Sequence, residues 1–379
     1  QADKRKTVST WTYKRLSEVQ EDLGQERLKS ALNRLDVLRD KKRLNKHELA
    51  LVWQMYGFTY SMQGRYVEAA KSFEKCLAQN SLPESTTQHT RYNLAQAYLG
   101  SEAFGKAIKE LNHWLAGTEK PTAEVYYLLA AAHVQLKKFK SALPYARKAV
   151  SMKKKPREPW LNLLMSVHFE LNQMRSVLEV CKRLVDLYPK PSYWLQLSSV
   201  YHELGDTKRA LAVLELAYAQ GFVIRSNELV SLVSHYLDQG LPFKAAQLLE
   251  REMDAGRVEG TLNTLKMLSS AWLQARERTR ALTPLEKAAA LDPKGESAFL
   301  LAQVYIESEK WSLAHQAAQQ AIKKAELKRP GQVHLLDGIA LLSMKKRLKA
   351  RKAFERAQRF PNEQEAAQQW LNHLKDEAR

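Results

Sequence analysis

The 379 residues carry 60 lysines and arginines against 41 aspartates and glutamates, a formal net charge of +19. With 45% hydrophobic residues, 14 glycines and 12 prolines, the chain is too apolar and too poor in helix breakers to be disordered, and it reads as mostly helical. No apolar run approaches the ~18 residues of a membrane span, whereas the basic excess leaves nucleic acid, a membrane surface or another anionic partner to be weighed.

Residues 1–10 are short, basic and polar and are expected to be mobile. Residues 11–49 read as an atypical helical pair, with Leu16, Val19 and Leu23 striping one helix and Ala31, Leu35 and Leu38 the next. Residues 50–362 then read as nine similar helical hairpins. The first carries Trp53, Tyr56, Gly57, Tyr60, Gly64, Tyr66, Ala69 and Phe73. The second has Leu94, Ala95, Tyr98 and Ala107, and the third has Tyr126, Leu129, Ala130, Ala142 and Ala149. The fourth is the least regular, with Leu164, Met165 and Val177 where small residues are usual.

The fifth unit, residues 191–224, shows the packing logic. Trp194, Leu197 and Tyr201 lie three and four apart and share one helix face. Gly205-Asp206 closes the turn, because glycine tolerates the positive φ that ends a helix. Ala210 is small where the two helices cross, and Leu214 and Ala217 continue the buried stripe. Four more units follow, marked by Leu232 and Ala245, by Leu268, Trp272 and Ala281, by Ala302, Tyr305 and Ala314, and by Gly338, Ala350 and Phe354. Residues 363–379 present Ala366, Trp370 and Leu374 as a C-terminal capping helix. Pro83, Pro121, Pro156, Pro189, Pro293, Pro330 and Pro361 fall between hairpins, while Pro144 and Pro284 are expected near second-helix starts, where a missing N–H costs little.

Recurrence at about 34 residues resembles the tetratricopeptide repeat (TPR). The resemblance implies an all-α TPR solenoid, a right-handed superhelix of about ten helical pairs plus a capping helix, in which no pair buries its stripe without a neighbour. It is read as one elongated domain. Cys76 and Cys181 sit three repeats apart, too far for a disulfide when stacked helices are spaced about 10 Å, and are expected as core filler.

No metal-hydrolase, nucleotide-binding or serine-esterase motif is present, so no catalytic, cofactor or metal residue is assigned and a non-enzymatic role is expected. His133, His168, His202 and His235 recur at repeat spacing. Zinc requires ligands about 2 Å from the ion, whereas equivalent residues on stacked helices are expected about 10 Å apart, so they are read as ordinary histidines. In TPR superhelices the first helices line the inner groove. The register assigns it Gln54, Phe58, Ser61, Tyr92, Asn93, Gln96, Tyr127, Gln135, Asn162, Ser166, Phe169, Gln196, Ser199, Ser231, Ser234, Lys266, Ser270 and Gln303. This polar and aromatic lining suits an extended peptide, since amide and phenol groups pair with main-chain donors and acceptors. The lysine clamp of carboxylate-gripping TPR domains is not carried over, because Tyr92, Gly100 and Gln135 stand where its lysines would be.

Nine basic and no acidic residues fall between 125 and 157, and Lys137, Lys138, Lys140, Arg147, Lys148, Lys153, Lys154 and Lys155 form a candidate basic docking surface. Residues 345–359 hold eight basic residues against Glu355. Neither stretch interleaves the stacking aromatics that nucleic-acid binding favours.

The strings KPTAEVYYLLAAAHVQLKKFKSALPYARKAV, REPWLNLLMSVHFEL and YPKPSYWLQLSSVYHELGDTKRALAVLELAYAQGF, with Arg43-Leu44-Asn45 after the N-terminal pair, resemble the periplasmic TPR proteins encoded beside ExbB, ExbD and TonB in Gram-negative bacteria. The resemblance implies an accessory scaffold of a TonB energy-transduction system for iron-siderophore uptake, with TonB, ExbB or ExbD as partners, no cofactor, and a periplasmic location close to a membrane. The opening at Gln1, without methionine, fits a processed secretory protein as well as a trimmed chain. Two other readings stay open: an envelope-assembly or cell-wall adaptor for a lipoprotein, pilus component or synthase, and, more weakly, a cytoplasmic nucleic-acid adaptor.

Overall fold

The computed structural model describes residues 7–41, 43–324 and 326–376. Residues 1–6 of the expected mobile N-terminus and 377–379 of the expected capping segment lie outside the described residues. Among the described residues there is no strand; the regular structure is twenty-one α-helices and a 3-10 turn at Pro361–Glu363.

Contacts divide the chain into two compact units, Gln1–Pro189 and Lys190–Arg379. The first unit holds five consecutive hairpins: α1 Thr10–Gly24 with α2 Leu28–Arg39, α3 Lys46–Met62 with α4 Tyr66–Ala78, α5 Glu84–Gly100 with α6 Phe104–Ala116, α7 Ala123–Gln135 with α8 Phe139–Ser151, and α9 Glu158–Glu170 with α10 Met174–Leu187. The second unit also holds five: α11 Pro191–Glu203 with α12 Thr207–Ala219, α13 Ser226–Asp238 with α14 Pro242–Asp254, α15 Leu262–Gln274 with α16 Arg278–Leu291, α17 Glu296–Glu307 with α18 Trp311–Ile322, and α19 Pro330–Ser343 with α20 Arg347–Ala357. A single helix, α21 Gln364–Asp376, follows.

Within each unit the core runs as a file of small residues on one helix against larger ones on its neighbour. In the α3/α4 hairpin Gly57 lies under the ring of Phe73, which a Cβ at Gly57 would meet at 2.4 Å. The α19/α20 hairpin repeats the pair with Gly338 and Phe354. The irregular fourth repeat inverts it: Met165 is large, and the facing residue shrinks to Cys181, whose Sγ stands 3.3 Å from the Met165 Sδ. The volume across the crossing is conserved where its parts are not, as close packing demands. Cys76 and Cys181 are both buried and free, and burial pushes their thiols up to about 12 and about 11.

The turn inside each hairpin places its second residue in the left-handed region. Gly64, Gly205 and Gly240 supply it at φ 72°, 78° and 67°, but Glu102, Lys137, Asn172, Arg276, Glu309 and Lys345 adopt the same conformation at φ 55° to 62°. Stacking of the hairpins therefore imposes the turn even where the sequence supplies a disfavoured residue. Asp206 then caps α12 by accepting from the Arg209 N–H at 3.1 Å.

Two expectations need correction, and the N-terminus gains contacts. Thr7 O accepts from Asn45 Nδ2 at 2.9 Å, and the Ser9 N–H donates to Glu48 Oε1 at 2.9 Å, while Glu48 also closes the capping box of α3. Pro144 and Pro284 sit inside α8 and α16 rather than in their first turns. Each removes one intrahelical hydrogen bond, and helix contacts on both sides hold the helices continuous. Finally, α21 buries Ala367, Leu371 and Leu374 while Ala366 is half-exposed; Trp370 stacks on Phe354 at 5.6 Å and 3°.

Candidate functional site: clefts between consecutive first helices

Where one hairpin follows another, consecutive first helices and the second-helix residue between them line a cleft at three places. The first, of 320 Å³, lies between α3 and α5 with Phe73 at its floor and Phe58, Ser61, Asn93 and Gln96 along its walls. The second, of 360 Å³, lies between α11 and α13 over Leu214, with Ser199, His202, Asn227, Ser231 and His235 around it. The third, of 350 Å³, lies between α15 and α17 over Leu285, with Lys266, Ser270, Phe299, Gln303 and Arg329 around it. Each offers an apolar base and a rim of hydroxyl, amide or imidazole groups. That combination suits a side chain of an extended segment whose main chain pairs with the rim.

The structure thus gathers part of the expected groove lining. Phe58, Ser61, Asn93 and Gln96 meet in one cleft, Ser199 and Ser231 in another, and Lys266, Ser270 and Gln303 in a third. Gln135, Ser166, Phe169 and Gln196 are exposed on first helices but line none of these clefts; Phe169 is 59% exposed. Asn162 and Ser234 are half-buried, and the Ser234 hydroxyl donates to the Val230 carbonyl at 3.0 Å. The half-buried Tyr127 stacks on Trp160 at 6.1 Å, in a group closed by an Arg157–Glu124 ion pair at 3.0 Å.

Two expected lining residues pack inward instead, Gln54 buried and Tyr92 half-buried. Gln54 is 7% exposed and donates through Nε2 to the Thr90 hydroxyl at 2.8 Å, tying α3 to α5. Tyr92 packs against Trp114 with ring centroids 5.8 Å apart, and burial raises its pKa. The register placed both on the inner face, yet Gln54 reaches α5 of the next hairpin and Tyr92 reaches α6 of its own.

Several cleft residues escaped the sequence reading. Tyr66, at the start of α4, forms a wall of the first cleft, and its ring lies where a Cβ at Gly100 would be, at 2.5 Å. A glycine at the end of a first helix was the available signal. His202 and His235 carried only the signal of their repeat spacing, and the expected 10 Å separation does not hold for them: their rings meet edge to face at 5.6 Å. His235 Nδ1 lies 2.8 Å from the Ser231 carbonyl. The other two histidines are engaged elsewhere, His133 stacked on Tyr145 at 5.5 Å and His168 bonded to Gln173 Oε1 at 2.7 Å, and burial lowers the pKa of both. Among the described residues no group of three or more His, Cys, Asp or Glu could hold a metal ion.

The candidate basic surface is solvated. Lys137, Lys138, Lys140, Arg147, Lys148, Lys153 and Lys154 are exposed around α8 and its flanking turns, while Lys155 lies over the Tyr188 ring at 5.6 Å. No helix among the described residues is long and apolar enough to cross a membrane.

The Tetratricopeptide repeat family model matches residues 123–156 and 191–219. The chain accordingly carries tetratricopeptide repeats, and its fold class is the all-helical solenoid of TPR hairpins. No curated protein matches it. Among solved structures, a tetratricopeptide repeat protein from Parabacteroides merdae is similar over 78% of this chain and 99% of its own, at 16% identity and a TM-score of 0.42. The TPR2AB domain of yeast Sti1, solved in a pHSP90 complex, is similar over 69% and 99%, at 14% identity and a TM-score of 0.39. YrrB, described as a TPR protein with an unusual peptide-binding site, is similar over 44% and 83%, at 17% identity and a TM-score of 0.38.

Proposed function

We propose that this protein is a non-enzymatic interaction scaffold that holds an extended segment of a partner protein along its first helices, and that it serves as an accessory component of a TonB energy-transduction system in the periplasm. The observation that carries the binding mode is the recurrence of one cleft design, an apolar second-helix floor under a polar first-helix rim, at three hairpin junctions. The clefts at α11/α13 and α15/α17 lie within one unit, and repeated clefts of this kind read a chain at intervals, which suits a partner segment better than a small molecule. The TonB assignment is supported by the resemblance of the strings from Lys120 through Phe222 to periplasmic TPR proteins of such systems.

The test is photo-crosslinking in cells from Asn93, Ser199 and Gln303, one position per cleft, in a periplasm-directed form with captured proteins identified by mass spectrometry. Capture of TonB, ExbB or ExbD supports both parts of the reading. Capture of other envelope proteins keeps the clefts and removes the TonB role, and crosslinks no stronger than from exposed Lys71 on α4 remove the clefts as well.

A further inference from the structure

The densest charge in the chain lies on α20 and the turn before it, where eight basic side chains between Lys345 and Arg359 face one acidic residue, Glu355. Glu355 is engaged by Arg351 at 2.9 Å. Lys349, Lys352 and Arg356 form no ion pair among the described residues. Their spacing of three and four puts them on one side of the helix, and there they line a 240 Å³ cavity between α18 and α20.

One acid, Asp337, shares the cavity wall with these three cations. Asp337, 3% exposed, accepts from His315 Nδ1 at 2.5 Å on one carboxylate oxygen and from Gln319 Nε2 at 2.7 Å on the other. The cavity therefore has three cations without an ion pair against one buried carboxylate that is held by His315 and Gln319, an excess of positive charge. Solvated lysines alone would say little. Here they converge on one concavity that also has Leu341 and Ala353 in its wall, next to Leu348, which is 80% exposed.

The layout discriminates among anions. From Lys349 to Arg356 the cations span about 10 Å of helix, so they do not focus on a single phosphate, and two of the three are lysines without the bidentate fork that matches phosphate. An extended chain presents alternate side chains on one face roughly 7 Å apart, so carboxylates at alternate positions reach successive cations. We infer that the cavity between α18 and α20 docks an extended acidic segment of a partner protein, rich in aspartate and glutamate, with a neighbouring apolar side chain packed on Leu348. This site lies on second helices and is independent of the first-helix clefts.

The experiment is fluorescence anisotropy of a fluorescein-labelled peptide, with glutamate at alternate positions and one leucine, titrated with the full chain at low salt. Lys349→Glu with Arg356→Glu is expected to weaken binding roughly tenfold or more, and Lys349→Gln with Arg356→Gln by a smaller factor in the same direction. Lys71→Glu with Lys109→Glu, an equal change of net charge on exposed positions elsewhere, is expected to leave affinity within about twofold, the residue of screened long-range attraction. Circular dichroism establishes that the variants fold. Equal loss in the control pair, or no loss in either α20 pair, would overturn the site. Tighter binding of an oligothymidylate of matched charge, or of phosphatidylglycerol vesicles, would overturn the assignment to an acidic protein segment.

Discussion

Gly57 and Phe73 show how little freedom one residue has in this array. A methyl group at Gly57 would overlap three ring atoms of Phe73 at 2.4 to 2.6 Å, and the ring is fully buried. Gly57→Ala should therefore destabilise the protein by about 1–3 kcal/mol, the usual cost of overpacking, and Phe73→Leu added to it should recover part of that loss. Additive losses in chemical denaturation would disprove the direct contact.

Buried acids make a second argument at this scale. Asp292 is 1% exposed and accepts from Lys266 Nζ, the Ser297 hydroxyl and two backbone N–H groups. Despite burial, which acts in the opposite sense, these bonds hold its carboxyl well below the usual carboxylate range. A depressed folded pKa means that the unfolded chain binds the proton first. The stabilisation is complete above the unfolded value near 3.8 and is lost as the pH falls below it and through the folded value. Burial also lowers His133, His168 and His334 below 6.5, so stability should begin to decline as the pH falls through that value. Urea denaturation at a series of pH values should show both limbs. Asp292→Asn should flatten only the more acidic one.

Among the elements, the hairpins are stapled to one another by a device the repeat pattern does not announce. Tyr236 on α13 donates its hydroxyl at 2.8 Å to Glu215 on α12, and Lys244 on α14 lies 3.4 Å from the same carboxylate and 5.7 Å from the tyrosine ring. In the first unit Tyr98, Glu74 and Lys106 repeat the arrangement across α5, α4 and α6. Desolvation first, and then the carboxylate, raise the pKa of both tyrosines, so each remains a neutral donor at neutral pH. Tyr236→Phe should cost roughly 1.5–3 kcal/mol, the range for a hydrogen bond to a charged group. A coupling energy near zero with Glu215→Gln in a double-mutant cycle would sink the staple. The turns give a stabilising prediction. Glu309 sits at φ 55° with no ion pair among the described residues, so Glu309→Gly removes about 1–2 kcal/mol of left-handed strain and returns about 0.5–1 kcal/mol in chain entropy. The net is a small gain, readable as a higher melting temperature.

For the whole molecule, every hairpin depends on a neighbour to cover its stripe, and α21 meets that need for α19 and α20. Removing the chain beyond Phe360 would uncover Phe354, now 0% exposed beneath Trp370, together with Leu341. The truncated protein should lose amide-exchange protection first in α19 and α20 and should self-associate with rising concentration. A monomer with unchanged exchange would show that α21 only decorates the surface.

What the sequence determined by itself was the hairpin, its length and its buried faces, because helical periodicity and the small residues at each crossing are local signals repeated many times. Trp194, Leu197 and Tyr201 announce α11, and Ala210, Leu214 and Ala217 announce α12, without reference to anything else in the chain. The first-helix lining was legible in part for the same reason: Asn93, Gln96, Ser199 and Ser270 follow from register alone. Only the tertiary structure decided which of those residues reach a cleft. Gln54 and Tyr92 occupy the same nominal face, yet the first is bonded to Thr90 on the next hairpin and the second is packed on Trp114 of its own hairpin's second helix. It also decided that Met165 is tolerated because Cys181 faces it, and that Asp337 is bonded to His315 and Gln319 rather than to a cation of α20. These are facts about pairs that lie sixteen or more residues apart, and a repeat pattern fixes the positions of such residues without fixing what stands opposite them.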